Sequence, residues 1–518
     1  MSALAALFFR TLSRRLRRGV SVGGSDVGPS AAAPARELVE SGFALEIADA
    51  PLLHDGLNMA DLAHLLVLAE RGVIPPGPAA RVIGAVLDVV RSVPAEDFPY
   101  DPGYGDAYNS REAYFVRRLG DDAGWLHAGR PRREAGRVAL RLHLRRLVAG
   151  LVVDATSFAE AAAGLAAAHA ETVMPDQTYL QQAQPSTFGH YVLTFAYPAL
   201  RDAERLLAAG DWVNRSPGGA GCVNGSRLGL DRDRTASLLG FDGLIDHTRD
   251  AMWQTDGLID VLATSASLAS TLSKLAEDLE IWDSQEFDFV DLAGPYTRSS
   301  VLMPQKRNPY ALSIVRGAAG VLIGRLSGFL AVVKTPSART DNLIFAYGEV
   351  PRSLELAGKV TRLMSGVVRT LEVHPERMWA SLESGFSQAT DLAEFVMQAC
   401  GVDYRTAYVV VGAAVRRAAA EGLRGIDLTA EMIEEAAEGR IGRRLGLAGT
   451  DLTEVLDPRA IVGTRRSPGG AAPDVVRTMV TECRAAAGRI RAGAERRQAG
   501  FDEAERALVK AAEEVAGR

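Results

Sequence analysis

Apolar residues recur near helical spacing over most of the chain, and the intervals between prolines are long. After Pro131 no proline occurs until Pro175, and Val138, Leu142, Leu147 and Leu151 fall on that spacing. A continuous helix there runs to roughly 60 Å at 1.5 Å per residue. Gly218 to Gly294 and Tyr310 to Thr335 are likewise proline-free. Strand signals are missing. The pattern predicts an all-α protein built as an elongated bundle of long helices, with enough apolar faces to be shared between subunits.

Shorter periods flank the bundle. From Arg36 to about Arg130, short helical segments alternate with breakers such as Pro75-Pro76 and Pro94. A chain of 518 residues also exceeds what one core absorbs, since single cores stop growing at roughly 250 to 300 residues. The expected division is a disordered extension over 1–35, an N-terminal helical domain over 36–130, a central long-helix bundle over 131–376 and a C-terminal helical domain over 377–518.

One stretch breaks the helical pattern and carries chemistry. Tyr296 to Pro309 reads Tyr-Thr-Arg-Ser-Ser-Val-Leu-Met-Pro-Gln-Lys-Arg-Asn-Pro, and Pro304 and Pro309 keep it from being continuous helix. It sets Ser299, Ser300, Lys306 and Asn308 on a loop between long apolar segments. Only five of the 58 basic side chains are lysines, namely Lys274, Lys306, Lys334, Lys359 and Lys510, so a lysine retained in this loop is informative.

Composition narrows the function classes. A net charge of −6 without a concentrated basic face argues against a nucleic-acid partner. No run approaches the roughly 18 uninterrupted apolar residues of a membrane span, so no membrane partner is expected. Cys222, Cys400 and Cys483 are too far apart for metal-ligand spacing and read as reduced thiols of a cytoplasmic protein. Met1 to Arg18 carries five arginines and no acid, the composition of a transit peptide, a membrane-surface helix or a plain extension.

The loop resembles the signature Ser-Ser-x-x-Met-Pro-x-Lys-x-Asn-Pro of the fumarase/aspartase superfamily, and Met-Pro-Gln-Lys-Arg-Asn-Pro is most like its argininosuccinate lyase branch. The resemblance extends over nearly everything beyond residue 50. Gly105-Asp106 to Glu112 resembles a family stretch at Asp106 and Glu112, but Tyr108 replaces its histidine. His127-Ala-Gly-Arg130-Pro-Arg132-Arg133 resembles His-Thr-Gly-Arg-Ser-Arg-Asn, with Pro131 for serine and Arg133 for asparagine. Thr178-Tyr179-Leu-Gln-Gln-Ala-Gln184-Pro resembles Thr-His-Leu-Gln-x-Ala-Gln-Pro. The family's histidine is Tyr179 here, and the glutamate that pairs with it is Ser313. His190 falls on a position read as structural, and the glycine run Gly218 to Gly221 lacks the strand context of a phosphate-binding fingerprint.

The resemblance implies a three-domain elongated fold with a central long-helix bundle, a homotetramer whose active sites are each built by three subunits, and no metal or organic cofactor. It assigns catalysis to Ser300 as base and to Lys306 and Thr178 as stabilisers of the aci-carboxylate; with Tyr179 and Ser313 in place of the family's His/Glu pair, the leaving nitrogen either departs without strong protonation or takes its proton from the Tyr179 phenol. It assigns substrate binding to Arg132, Asn308, Gln184, His127 and Asp106. A serine is a poor base unless deprotonated, and Lys306 with loop N–H groups favours the alkoxide. A phenol keeps its proton across neutral pH, where an imidazole is partly deprotonated.

The implied activity is a carbon–nitrogen lyase reversibly eliminating fumarate from an N-substituted aspartate or related succinate, a small dicarboxylate. Argininosuccinate itself is disfavoured, because alignment on Pro336-Ser337 puts Arg339, Ile344 and Tyr347 where the branch has tyrosine, glutamine and lysine. The alternatives are a carboxymuconate-type cycloisomerase, a true argininosuccinate lyase and a catalytically silent scaffold.

Overall fold

The computed structural model describes residues 34–335, Ile344 and 347–517. The arginine-rich segment 1–18 and Arg339 lie outside the described residues. The fold is all-α and elongated. Its first unit contains α1 (Ala50–Glu70), α2 (Pro76–Ser92) and α3 (Ala107–Leu119). Pro76 opens α2 at a position whose N–H has no intrahelical partner, so its missing donor costs nothing there. Leu62, Leu65, Leu66, Val82, Ile83 and Val86 build the core of this unit.

The bundle consists of α4 (Arg132–Ala168), α5 (Phe188–Val213), α6 (Asp256–Trp282), α7 (Tyr310–Val333) and α8 (Glu349–Arg369). The 37 residues of α4 span about 55 Å at 1.5 Å per residue. Neighbours cover α4 on several sides, which is why it buries Leu144, Val148, Val152, Phe158 and Ala162 without showing one apolar face. Contacts at both ends fix the directions. Gly189, at the start of α5, meets the far end of α4 so closely that a Cβ there would lie 2.5 Å from the Ala166 carbonyl oxygen. Trp212, at the other end of α5, stacks under Arg141 near the start of α4, with the guanidinium 3.8 Å from the ring centre. Gly257 opens α6 against Trp212, and Trp282 closes it 4.5 Å from Tyr191. Successive helices therefore run antiparallel.

The structure departs from expectation in three places. Much of the proline-free interval Gly218 to Gly294 is not long helix: up to Thr255 it forms turns and two short helices, Arg232–Leu238 and Thr248–Trp253, because Gly219, Gly221, Gly225, Gly229 and Gly240 all take positive φ. Small antiparallel pairs occur where no strand was expected: β1 (Val173–Thr178) with β2 (Gln181–Thr187), β3 (Val290–Asp291) with β6 (Glu372–Val373), and β4 (Arg298–Ser299) with β5 (Arg307–Asn308). The 377–518 unit is divided. After α9 (Pro375–Glu383), helices α10 (Ala389–Cys400), α11 (Tyr404–Ala420) and α12 (Ala430–Ile441) close on their own core of Leu392, Val396, Val410 and Ile433. The last helix, α13 (Pro473–Ala516), instead returns along the bundle. It buries Val476, Val480 and Ile490 there, and Leu508 and Ala512 in the N-terminal core.

One bundle helix is left half covered. α7 buries Leu312, Val315, Leu322 and Phe329, yet Tyr310, Ile314, Val321, Ile323 and Leu330 stay 41–49% exposed. At 3.6 residues per turn Tyr310, Ile314 and Val321 flank the buried stripe on one side, and Ile323 and Leu330 on the other.

Candidate functional site

At one end of the bundle, Arg132 opens α4. Asp106 caps α3 by accepting from the Asn109 N–H at 2.8 Å, and its other oxygen takes Arg132 Nη1 at 2.9 Å. Two of the residues expected to bind substrate are thus joined to each other, with Arg132 half exposed. Arg133 forks onto Glu46 at 2.8 and 3.3 Å. Underneath lies a buried network in which Asp61 takes Arg111 at 2.7 Å and Arg130 at 2.5 Å, while Arg130 also donates to the Tyr108 hydroxyl at 2.9 Å. Burial pushes the Asp61 carboxyl up, but the two guanidinium groups prevail and hold it below its ordinary value. His127 lies 3.0 Å from Glu112 and edge-on to Tyr108. It does not line the cavity that opens beside Asp106, Tyr108, Arg132, Arg137 and Tyr347.

Glu134, one residue beyond Arg133, is buried and accepts from the N–H groups of Gly219 and Gly221 at 2.6 and 2.7 Å. The glycine-rich turn is therefore closed on an internal carboxylate. Gly221 cannot carry a side chain, because a Cβ would lie 2.5 Å from the Gly225 carbonyl oxygen. Burial pushes Glu134 up from 4.5 to about 7 against those two N–H bonds. Its stabilising contribution is full below the unfolded value and is lost as pH rises through the folded one. Unfolding free energy should drop by about 3 kcal/mol over that window, and Glu134→Gln should remove the slope. Urea denaturation from about pH 5 to about pH 8 checks this; parallel wild-type and variant curves would assign the pH dependence elsewhere.

At the opposite end, β1 and β2 form a hairpin whose two-residue turn is Tyr179-Leu180, with φ of 56° and 59°. Both are side-chain-bearing residues in the left-handed region, which costs of order 1 kcal/mol or more each. The turn sets Tyr179 99% exposed at the tip, with Thr178 and Gln184 also exposed on the two strands. His190 bridges Ser186 at 3.3 Å and the Gly469 carbonyl at 3.0 Å, a structural tie to the chain before α13.

The signature loop follows α6 and so lies at this same end. Strands β4 and β5 pair Ser299 with Arg307 and Arg298 with Asn308. Ser300 leaves the strand with its Oγ accepting from the N–H groups of Leu302 at 3.2 Å and Met303 at 3.0 Å. The Lys306 N–H donates to the Met303 carbonyl at 3.0 Å, closing the turn between serine and lysine. Asn308 donates one amide hydrogen to the Arg298 carbonyl at 2.8 Å, which fixes its orientation. Val301 and Leu302 project into solvent. Two backbone donors on one hydroxyl oxygen favour its alkoxide, the form a base requires.

Within one chain, then, Arg132, Asp106 and His127 stand at one end of α4, and the hairpin and signature loop stand at the other, separated by about 55 Å of helix. Known proteins share both the sequence and the fold. A lyase family model matches residues 60–324, and an argininosuccinate lyase C-terminal model matches 386–463. An argininosuccinate lyase of Methanoculleus marisnigri is 35% identical over 440 residues, covering 84% of this chain and 88% of its own. The chain belongs to the argininosuccinate lyase-like branch of the fumarase/aspartase superfamily.

It is a carbon–nitrogen lyase of that superfamily. Among solved structures, an EDDS lyase variant with bound fumarate superposes with a TM-score of 0.84 at 27% identity, covering 94% of this chain and 97% of the other. A 3-carboxy-cis,cis-muconate lactonizing enzyme from Pseudomonas putida shares the fold at 20% identity and a TM-score of 0.68, covering 88% and 100%. Sequence reading of this lyase missed the cavity residues Glu46 and Arg137, although arginines at 133, 137, 141 and 145 recur every fourth residue, the spacing of one helix face.

Proposed function

We propose that this lyase reversibly eliminates fumarate from an N-substituted aspartate or related succinate other than argininosuccinate, in composite sites of a homotetramer. The observation that carries the reading is Ser300, whose Oγ takes two backbone N–H groups inside the Lys306 turn. Ser300 removes the proton from the carbon beside a carboxylate, electron density moves onto that carboxylate, and the neighbouring carbon releases its nitrogen. Lys306, Thr178 and Asn308 stabilise the doubly negative aci-carboxylate, the term on which such eliminations depend most. Arg132, steadied by Asp106, holds a substrate carboxylate with Gln184 alongside.

Assembly by several chains is supported by the opposed ends of α4 and by the exposed apolar residues of α7. The likeness to an EDDS lyase with bound fumarate supports fumarate as the shared product. Against argininosuccinate stand Ile344 and Tyr347, which line the cavity beside Arg132. Losing charged hydrogen bonds to an amino-acid end removes roughly 1.5 to 3 kcal/mol each.

Incubation with fumarate and a panel of amines, followed by loss of fumarate absorbance, tests the reading. Turnover with at least one amine is expected. Silence across the panel together with turnover of carboxymuconate would replace the proposal with a cycloisomerase. Within an active panel, Tyr179→Phe should slow basic amines strongly and electron-poor nitrogen leaving groups little, because only the former need a proton on departure. Equal slowing of both classes would leave Tyr179 a binding role alone.

A further inference from the structure

The hairpin that carries Thr178, Tyr179 and Gln184 is divided by an irregularity in its register. On the inner side Val173 pairs with Thr187, Met174 with Ser186 and Pro175 with Pro185. On the outer side Gln177 pairs with Gln182 and Thr178 with Gln181, and the Tyr179-Leu180 turn follows at once. The inner half is anchored by apolar contact, since Val173 is buried in a cluster with Leu382, Val462 and Ala471. The outer half is not: Thr178, Tyr179, Leu180 and Gln181 are all exposed. Two strands alone are marginally stable in water, and a break in register disrupts their ladder further. Two consecutive left-handed residues nevertheless persist at the tip, which requires surroundings that over-determine them.

Gln182 supplies the missing hold. Its side-chain amide donates to the Ser381 carbonyl at 2.8 Å and to the Ser381 hydroxyl at 3.0 Å, near the end of α9. A carbonyl oxygen can only accept, so the amide nitrogen is the atom that faces it. Among the described residues these are the hydrogen bonds by which the outer half reaches another element. Gln182 Oε1 is buried without a donor among the described residues, so the side chain is held through its nitrogen. Gly385 makes room for it, because a Cβ there would collide with that oxygen. The family segment Thr-His-Leu-Gln-x-Ala-Gln-Pro does not supply this residue, since Gln182 stands at its open position.

We propose that Gln182 is a positioning residue for the elimination: by clamping the outer rungs of the hairpin to α9, it holds the Thr178 hydroxyl where the aci-carboxylate forms. This rests on the lyase reading above, in which Thr178 stabilises that carboxylate. The two residues occupy neighbouring rungs, about 3.4 Å apart along the ladder, so a shift of one carries the other. The aci-carboxylate exists only after the proton has left the carbon. A hydroxyl displaced by a fraction of a bond length therefore loses its hold on the reacting state, while Arg132 still binds the substrate as before.

Steady-state kinetics with fumarate and an amine that the wild-type protein turns over are the test. Gln182→Ala should lower kcat by about 10- to 100-fold, the size of effect that a misplacement of about 1 Å produces, with little change in KM. Gln182→Glu has the same shape without the N–H donor and should lose as much, which keeps the test open if Gln182→Ala melts early. Gln182→Lys brings back a donor and should recover most of the rate, and Ser381→Ala should be mild because the carbonyl remains. In a Thr178→Ala background, which is itself slowed, Gln182→Ala should cost nothing further, since it acts through the hydroxyl already removed. An unchanged kcat in both Gln182→Ala and Gln182→Glu, a loss confined to KM, or a full additional loss in the Thr178→Ala background would each overturn the assignment and leave the lyase reading intact. A wild-type protein silent with every amine would overturn the lyase reading and this inference with it.

Discussion

Ser300→Ala is expected to lower kcat by at least about 100-fold with little change in KM, the size of effect seen when a general base is removed. The hydroxyl oxygen accepts N–H groups from Leu302 and Met303, and those donors stabilise negative charge only once the proton has left. Their effect is therefore on how much of the serine stands as the alkoxide that acts as base, and not on substrate binding. Folding should be spared, because the turn is solvent-exposed and water can take up both freed N–H groups. Ser299 lies on β4 opposite Arg307, and successive strand residues point to opposite faces, so Ser299→Ala should change kcat only a few-fold. Steady-state kinetics with a thermal melt on each variant decide the matter. A severe Ser299→Ala beside a mild Ser300→Ala would move the base one residue back.

The loop was legible because its proline-bounded pattern fixes residue identities at fixed offsets, and the structure gives Ser300, Lys306 and Asn308 a shared turn. The hairpin was not. Its turn is Tyr179-Leu180, without the Asn-Gly or Gly-rich signal by which sequence announces two left-handed residues. Proline spacing revealed α4 to within its last turns, since nothing between Pro131 and Pro175 interrupts a helix. It also overextended the stretch ahead of α6, where glycines at positive φ do what prolines did elsewhere. α13 shows the limit of periodicity: Val476, Val480, Cys483, Ala487 and Ile490 announce a buried face, but nothing in their spacing names α4 and α5 as what covers it. The cavity was hidden for the same reason. The arginine ladder is visible in the sequence, whereas the groups that meet its rungs come from Trp212, Leu239, Met252 and Tyr347, all distant along the chain.

Mixing two inactive proteins should restore activity. Arg132→Ala removes the carboxylate anchor at one end of α4, and Ser300→Ala removes the base at the other. If each site draws Arg132 from one subunit and Ser300 from a neighbour, every homotetramer of either variant is dead at all sites. In randomly exchanged heterotetramers each position is intact half the time, so about one site in four carries both wild-type groups, and activity should approach a quarter of the wild-type value. The geometry leaves little room for a smaller effect, because about 55 Å of continuous helix separates the two groups and the bundle core buries α4 too thoroughly to bend it. The exposed apolar residues of α7 give the exchange its handle: subunits should separate at low denaturant concentration and reassemble on dilution, with exchange followed by native mass spectrometry. Heterotetramers that form and stay inactive would mean that each chain completes its own site.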